Sequence, residues 1–304
     1  GTGTWAAGAP RPIFIDTVNA TEHLHVARYP HDGTWTWPDV LAALDDLLTG
    51  QHTYETVVIE DVGDLEMIIW RHMFETVPAA QGVLAKTIED YGYGKGYKIA
   101  NQFWRILSAR LDELRIKRRM HVILLGHSAV QNQKNPGGSD FDTFQPTLYK
   151  EAAGILGADC DVIGFAAFDD QVVGIGEGKG KQPKKFIGAT GGRVIRLEYS
   201  AAWPMVGSRL PLGGDVEIEL EHPFRPFRAA LAQASMSPTM LRQKIDAELD
   251  RLGSPFLKAD GNESTADGVR AAVTRAGDDF DTLSRFLTLL RQAQPTPAQP
   301  EAMP

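Results

Sequence analysis

The sequence predicts an α/β fold built on a mostly parallel sheet with flanking helices, followed by a helical C-terminal extension. Three stretches carry this: Pro12-Ile-Phe-Ile-Asp16-Thr17, Thr56-Val-Val-Ile-Glu60-Asp61 and His121-Val-Ile-Leu-Leu-Gly-His127-Ser128. Each is a short apolar run that ends abruptly in polar groups. Strands of a parallel sheet are covered on both faces, so they read as continuous apolar runs rather than alternating ones. Their polar ends fall at one sheet edge, where open α/β sheets hold ligands. Asp16, Glu60, Asp61 and His127 are the groups so placed, and the pattern is that of a nucleotide-type sheet.

Taken in order, Val18 to Pro30 is polar and irregular. Asp39 to Leu48 places Val40, Leu41, Leu44, Leu47 and Leu48 on one helical stripe, with Gly50 as its stop. After the central strand, Asp64 to Phe74 reads as a largely apolar helix. Ile99 to Arg119 is a long helix with Phe103, Ile106, Leu107, Leu111 and Leu114 on its buried face. Gln131 to Thr143 is a polar loop. Leu148 to Leu156 reads as a helix, Val162 to Ala166 as a fourth central strand and Gln171 to Ile175 as a short strand. Gly176 to Lys185 is a Gly/Lys-rich turn or hairpin, and Arg193 to Glu198 alternates as a half-buried strand does. Leu231 to Leu252 and Val269 to Leu290 read as two amphipathic helices, and the Pro/Ala/Gln-rich chain after Gln292 as disordered. The expected domains are 1–222, 223–292 and a tail, 293–304.

Composition narrows the function classes. With 39 acidic and 31 basic residues the formal net charge is −8, so any nucleic-acid contact is a local patch rather than a property of the whole surface. One cysteine, Cys160, excludes an internal disulfide and a Cys-based zinc site, and fits a reducing cytoplasm. No apolar stretch approaches the roughly 18 residues that span a bilayer. The start at Gly1 is compatible both with a removed initiator Met and with a fragment.

The order of these pieces resembles the phage-encoded RecA-like P-loop ATPases associated with single-strand annealing and recombination, an AAA-type group. The residues that carry it are Trp5-Ala-Ala-Gly-Ala-Pro-Arg-Pro-Ile-Phe-Ile-Asp-Thr17, His23-Leu24, Thr56 to Glu60, Gly92 to Tyr97, His121 to Ser128 and Gly191-Gly-Arg193. The resemblance covers residue 1 to roughly 220. It implies a RecA-like sheet, ATP and Mg²⁺ as cofactors, single-stranded DNA as partner, a homo-oligomer, and the host cytoplasm as location.

Residue by residue, the resemblance puts Gly1, Thr2, Gly3 and Thr4 at the end of the phosphate-binding loop, with Thr2 at the lysine and Gly3 at the Ser/Thr. A two-residue deletion within Gly-Lys-Ser/Thr-Thr gives the same text and also removes the lysine. The loop's first half and its strand would precede Gly1. Asp16 ends the next strand. Glu60, with Asp61 beside it, stands at the metal-binding acid, where Asp is more common. Val18 replaces the water-orienting Glu, with Glu22 a few residues on. His127 holds a sensor-like position near the γ-phosphate or caps a strand end, and Arg209 is an arginine finger or a surface residue.

For Gly92 to Tyr97 two readings stand. Tyr91, Tyr93 and Tyr97 stack on bases while Lys95 meets phosphate, or the tyrosines pack back on the sheet. The basic run Arg115, Lys117, Arg118 and Arg119 either joins Lys95 on DNA or complements the helix dipole. The function expected is an ATP-binding recombination protein acting on single-stranded DNA; the alternative is a non-hydrolysing DNA-binding or assembly module. An α/β hydrolase is set aside, because Gly126-His-Ser128 lacks the nucleophile elbow.

Overall fold

In this computed structural model the residues described are 1–79, 82–135, 137–169, 171–177, 183–189, 191–212 and 214–296. The chain divides into two compact units, Gly1–Gly207 with Asp215–Arg228, and Ser208–Gly214 with the chain from Ala229 on.

The first unit begins with α1 (Thr2–Ala6), β1 (Pro12–Asp16), β2 (Ala27–Arg28), α2 (Trp37–Thr49), β3 (Thr56–Glu60), α3 (Val62–Thr76), α4 (Lys95–Arg118) and β4 (His121–Leu124). The four strands form an all-parallel sheet in the order β2-β1-β3-β4, with Asp16 in register with Glu60. On one face, Ile13, Ile15, Val57 and Ile59 bury against Val40, Leu44, Ile69, Trp104 and Leu107 from α2, α3 and α4. On the other, Phe14, Val58 and Leu125 pack with Ala6 of α1. Trp5 anchors α1, its ring 4.8 Å from that of Phe224 and 5.2 Å from that of Phe227.

Helix starts follow from their caps. Thr36 and Asp39 form a reciprocal capping box at α2, and Asp61 caps α3 by accepting from the Asp64 amide at 2.7 Å. In α4 the buried stripe is Ala100, Trp104, Leu107, Leu111 and Leu114. Ile106, expected on that face, is exposed. Before α4, a 3₁₀ turn at Ile88–Tyr91 buries Tyr91, whose hydroxyl donates to the Met73 and Val77 carbonyls at 2.9 Å each. Gly96 packs so closely on the Ile88 carbonyl that no Cβ fits. Glycine here serves close packing rather than flexibility. Tyr91→Phe is expected to cost about 1 kcal/mol, read as a fall of roughly 2–4 °C in unfolding midpoint; an unchanged midpoint would show that the two acceptors find water instead.

Beyond β4 the chain continues through β5 (Ser128–Gln133), β6 (Phe141–Pro146), α5 (Lys150–Asp159), β7 (Val162–Ile163), β8 (Phe165–Phe168), β9 (Gln171–Glu177), β10 (Pro183–Ala189), β11 (Arg193–Arg196), β12 (Gly207–Ser208) and β13 (Val216–Glu217). Here several expectations are corrected. Val162 to Ala166 is not a central strand: β8 pairs antiparallel with β11 in a separate sheet, β13-β11-β8. The fourth member of the parallel sheet is instead β2, inside the stretch expected to be irregular. The ends of the expected Gln131 to Thr143 loop, Gln131–Gln133 and Phe141–Thr143, pair as strands of the β5–β6 hairpin, with the loop confined between them.

The C-terminal chain holds α6 (Arg225–Ala234), α7 (Pro238–Leu252), β14 (Phe256–Leu257), β15 (Glu263–Ser264), α8 (Ala266–Ala276), α9 (Phe280–Gln292) and β16 (Gln294–Pro295). Each of the two expected long helices is therefore two. Ser237 caps a new start at Pro238, and Gly277, at φ +58°, ends α8. In the second unit, Leu241, Ile245 and Leu249 of α7 pack with Leu283, Leu287 and Leu290 of α9. Gln294 and Pro295 pair with β14, so the chain after Gln292 is ordered at first. Residues 297–304 lie outside the described part.

Candidate functional site

Two neighbouring parallel strands, β1 and β3, deliver the acids to one edge. Asp16, Glu60 and Asp61 are 5%, 8% and 6% exposed, an unusual concentration of carboxylates out of water. Thr17 joins the ends of β1 and β3. Its amide donates to the Glu60 carbonyl at 2.7 Å, its hydroxyl donates to the same carbonyl at 3.1 Å, and that hydroxyl accepts from the Asp61 amide at 3.2 Å.

The carboxylates differ in what they do. Asp16 is committed to the loop after β1. It accepts from the Ala20 and Thr21 amides at 3.1 and 2.9 Å and from the Thr21 hydroxyl. Arg28 then ties Thr21 and the Leu24 carbonyl back to β2. Asp61 spends one oxygen on capping α3, and its Oδ2 is buried with no hydrogen-bond partner. Glu60 Oε2 is likewise buried and unpartnered. Burial, then the charges of Asp16 and Asp61, push the Glu60 carboxyl above its ordinary range, and His127 works against them.

Position 3 faces this acid. A Cβ built on Gly3 would lie 3.0 Å from Glu60 Oε2 and 3.8 Å from the Leu24 side chain. Gly1 to Thr4 therefore lie beside the acidic edge, with Thr2 to Thr4 in α1. His127 follows β4, which the Leu125 amide joins to Ile59 at 3.0 Å. The His127 carbonyl accepts from the amide and hydroxyl of Thr147 at 3.0 and 3.2 Å, closing the base of the β5–β6 hairpin. Glu66, also buried, accepts from the Tyr149 amide at 3.1 and 3.2 Å just beyond.

Two buried carboxylate oxygens without donors are a donor set suited to Mg²⁺, a hard cation held by one or two carboxylates, water and phosphate. Among the described residues no group of three or more His, Cys, Asp or Glu side chains is arranged to hold a metal, so the remaining ligands would be water and nucleotide.

The candidate DNA residues are not brought together. Tyr93, fully exposed at φ +48°, and Lys95 sit at the start of α4. Arg118 is at its other end, about 35 Å away at 1.5 Å per residue. There its guanidinium donates to the Gly50 carbonyl at 3.0 Å, and Arg115 and Lys117 pair with Asp112 and Glu113. Tyr97 is engaged too: its ring stacks on Tyr149 at 3.8 Å and its hydroxyl donates to Glu89 at 2.7 Å, which pushes its own pKa up to about 12. Thr21, Arg28 and Thr147 were not singled out in the sequence, and Thr17 was read there only as the polar end of its strand and the residue before Val18. Thr17 alone carried a signal there, a hydroxyl directly after an acid at a strand end.

Among the described residues no helix is long and apolar enough to cross a membrane. A family model described as an AAA domain matches residues 1–205. No curated protein and no solved structure matches the chain. With two thirds of the sequence inside that model, and buried acids at the end of an all-parallel sheet, the chain belongs to the AAA domain family of P-loop NTPases.

Proposed function

We propose that this chain is a nucleotide-binding protein that engages Mg²⁺-ATP at the acidic edge of its parallel sheet, acts on single-stranded DNA, and hydrolyses ATP negligibly. The observation that carries the reading is Glu60 Oε2, buried, unpartnered and facing position 3. A phosphate-binding loop needs a Ser/Thr at that position to share the metal with the strand-end acid. Glu60 would hold Mg²⁺, with Asp61 Oδ2 as a second acceptor. When bound, the metal neutralises charge on the nucleotide phosphates.

The chain's own residues do the rest. Thr17 fixes the spacing of the two strand ends, Asp16 braces the loop that carries Val18 and Glu22, and His127 sets a polar group beside Glu60. Thr2 at the lysine position offers no charge to the β- and γ-phosphates. Val18, 43% exposed after Thr17, cannot polarise water. Both departures favour binding without turnover, and with it the module reading, since losing one such electrostatic group typically costs about 10²–10³ in rate.

Polarisation of a fluorescent ATP analogue, with phosphate release measured in parallel, tests this. Weak, Mg²⁺-dependent binding is expected, with phosphate release at background whether or not an oligonucleotide is present. Robust DNA-stimulated release would overturn it and assign water activation to Glu22 or Glu60.

A further inference from the structure

We propose that β5 is the strand through which two copies of this chain pair, edge to edge and antiparallel, into a four-stranded sheet β6-β5-β5-β6. The inference stands on the β5–β6 hairpin and does not rest on the nucleotide or DNA readings above.

Among the described residues β5 pairs with β6 and with no other strand, and all six of its residues, Ser128–Gln133, are exposed. Edges of this kind are ordinarily blunted by charge, proline or a bulge, because their free N–H and C=O groups are a template for another strand. Ser-Ala-Val-Gln-Asn-Gln holds no charge, no proline and no glycine. Its pairs to β6 run without interruption from Ser128↔Pro146 to Gln133↔Phe141, so no bulge turns the edge away.

The hairpin also fixes which groups face outward. The Phe144 amide donates to the Ala202 carbonyl at 2.7 Å, on the side of β6 away from β5. Phe144 and Val130 opposite it are therefore a non-hydrogen-bonded pair, and Val130, like Ser128 and Asn132, turns its N–H and C=O to the open edge.

Those groups set the register. Two antiparallel strands related by a two-fold axis keep the same face, so a residue opposes itself or one an even number of places away. With the axis at Val130, the two valines exchange both backbone bonds, Ala129 meets Gln131 and Ser128 meets Asn132. On one face this sets Phe144, Val130, Val130 and Phe144 in a row. Val130 and Phe144 are 58% and 38% exposed in the single chain, and the Phe144 ring is already backed by Phe165 at 4.9 Å. Pairing covers an apolar row that the chain itself leaves open. Charge selects the same partner. Each copy carries a net −8, so two copies repel over most of their surface and meet most readily along a neutral strip. Such a strip gives an acidic or basic peptide nothing to recognise.

Sedimentation of the full chain over a range of concentration tests this. The wild type is expected to form a dimer that tightens as salt rises, since salt screens the repulsion between copies and the paired strands have no charge to lose. Val130→Lys sets two cations opposite each other at the axis and should weaken the dimer roughly tenfold or more. Val130→Glu should do the same. Mixed in equal amounts, the two variants should recover the dimer, which a variant that had merely lost its fold would not do. Gln131→Lys, whose side chain opposes Ala129 rather than itself, should weaken it far less.

A wild type that stays monomeric at every concentration would overturn the proposal and leave the edge to a strand of another protein. So would a dimer that salt weakens, an oligomer that both Val130 variants leave unchanged, failure of the two to recover on mixing, or a larger loss from Gln131→Lys than from Val130→Lys.

Discussion

Glu60→Gln is expected to unfold at a higher temperature than the wild type at neutral pH without metal, and to lose the stabilisation that Mg²⁺ and ATP together confer on the wild type. The carboxylate is buried beside Asp16 and Asp61 with Oε2 unpaired, so its charged form is penalised in the folded state. Removing the charge relieves that penalty. About 1 kcal/mol is a fair scale, or roughly 2–4 °C for a domain of this size. The sign against pH follows. A carboxyl whose folded pKa is raised takes up protons on folding, so the wild type gains stability as pH falls through the raised value toward the ordinary 4.5. The gap between variant and wild type is therefore widest at neutral pH and closes on acidification. A constant gap across that range would mean that amide packing, not charge, sets it. A ligand stabilises only as far as it prefers the folded state, and the variant lacks the anion that would prefer the metal.

Thr2→Lys combined with Gly3→Ser is expected to raise affinity for Mg²⁺-ATP by on the order of ten- to a hundredfold, since a hydrogen bond to a charged group contributes about 1.5–3 kcal/mol. The lysine supplies the cation missing beside the phosphates, and the serine adds a hydroxyl on a Cβ that would itself lie 3.0 Å from Glu60 Oε2. The contact is tight, but its partner is the far end of a flexible side chain, which can turn aside. Isothermal calorimetry on both proteins reads the effect. No gain would mean that positions 2 and 3 do not face the phosphates, and the correspondence of Gly1 to Thr4 with the loop's end would be wrong.

The acidic edge was legible in the sequence because three apolar runs ending in polar residues specify both strand and direction. What stayed hidden depends on tertiary pairing. An apolar run at Val162 to Ala166 does not say which strand it meets; Phe165 and Ala166 pair antiparallel with β11, and Val162 and Ile163 also lie outside the central sheet. The commitment of Asp16 to Ala20 and Thr21 arises from the path of the following loop, which no spacing predicts.

The Gly/Tyr stretch combined a signal for packing with one for exposure. Gly96 and Tyr91 serve the fold, while Tyr93 stands clear of it. At the end of α4 the sequence held the answer, for Asp112 and Glu113 lie three and four residues before Arg115 and Lys117, where helical neighbours pair. The C-terminal helices broke where Ser237-Pro238 and Gly277 offered a start and a stop that amphipathic periodicity outweighed in the sequence reading.

The central claim is that Glu60 and position 3 meet through a nucleotide-bound Mg²⁺, and a double-mutant cycle measures it most directly. In the Thr2→Lys background, Mg²⁺-ATP affinity is determined for Gly3→Ser, Glu60→Gln and the two combined, with and without the metal. The account predicts that Gly3→Ser helps only when both Mg²⁺ and Glu60 are present, with a coupling within the roughly 0.5–3 kcal/mol found for groups that share a partner. The same gain in the Glu60→Gln background, or in the absence of Mg²⁺, would contradict it.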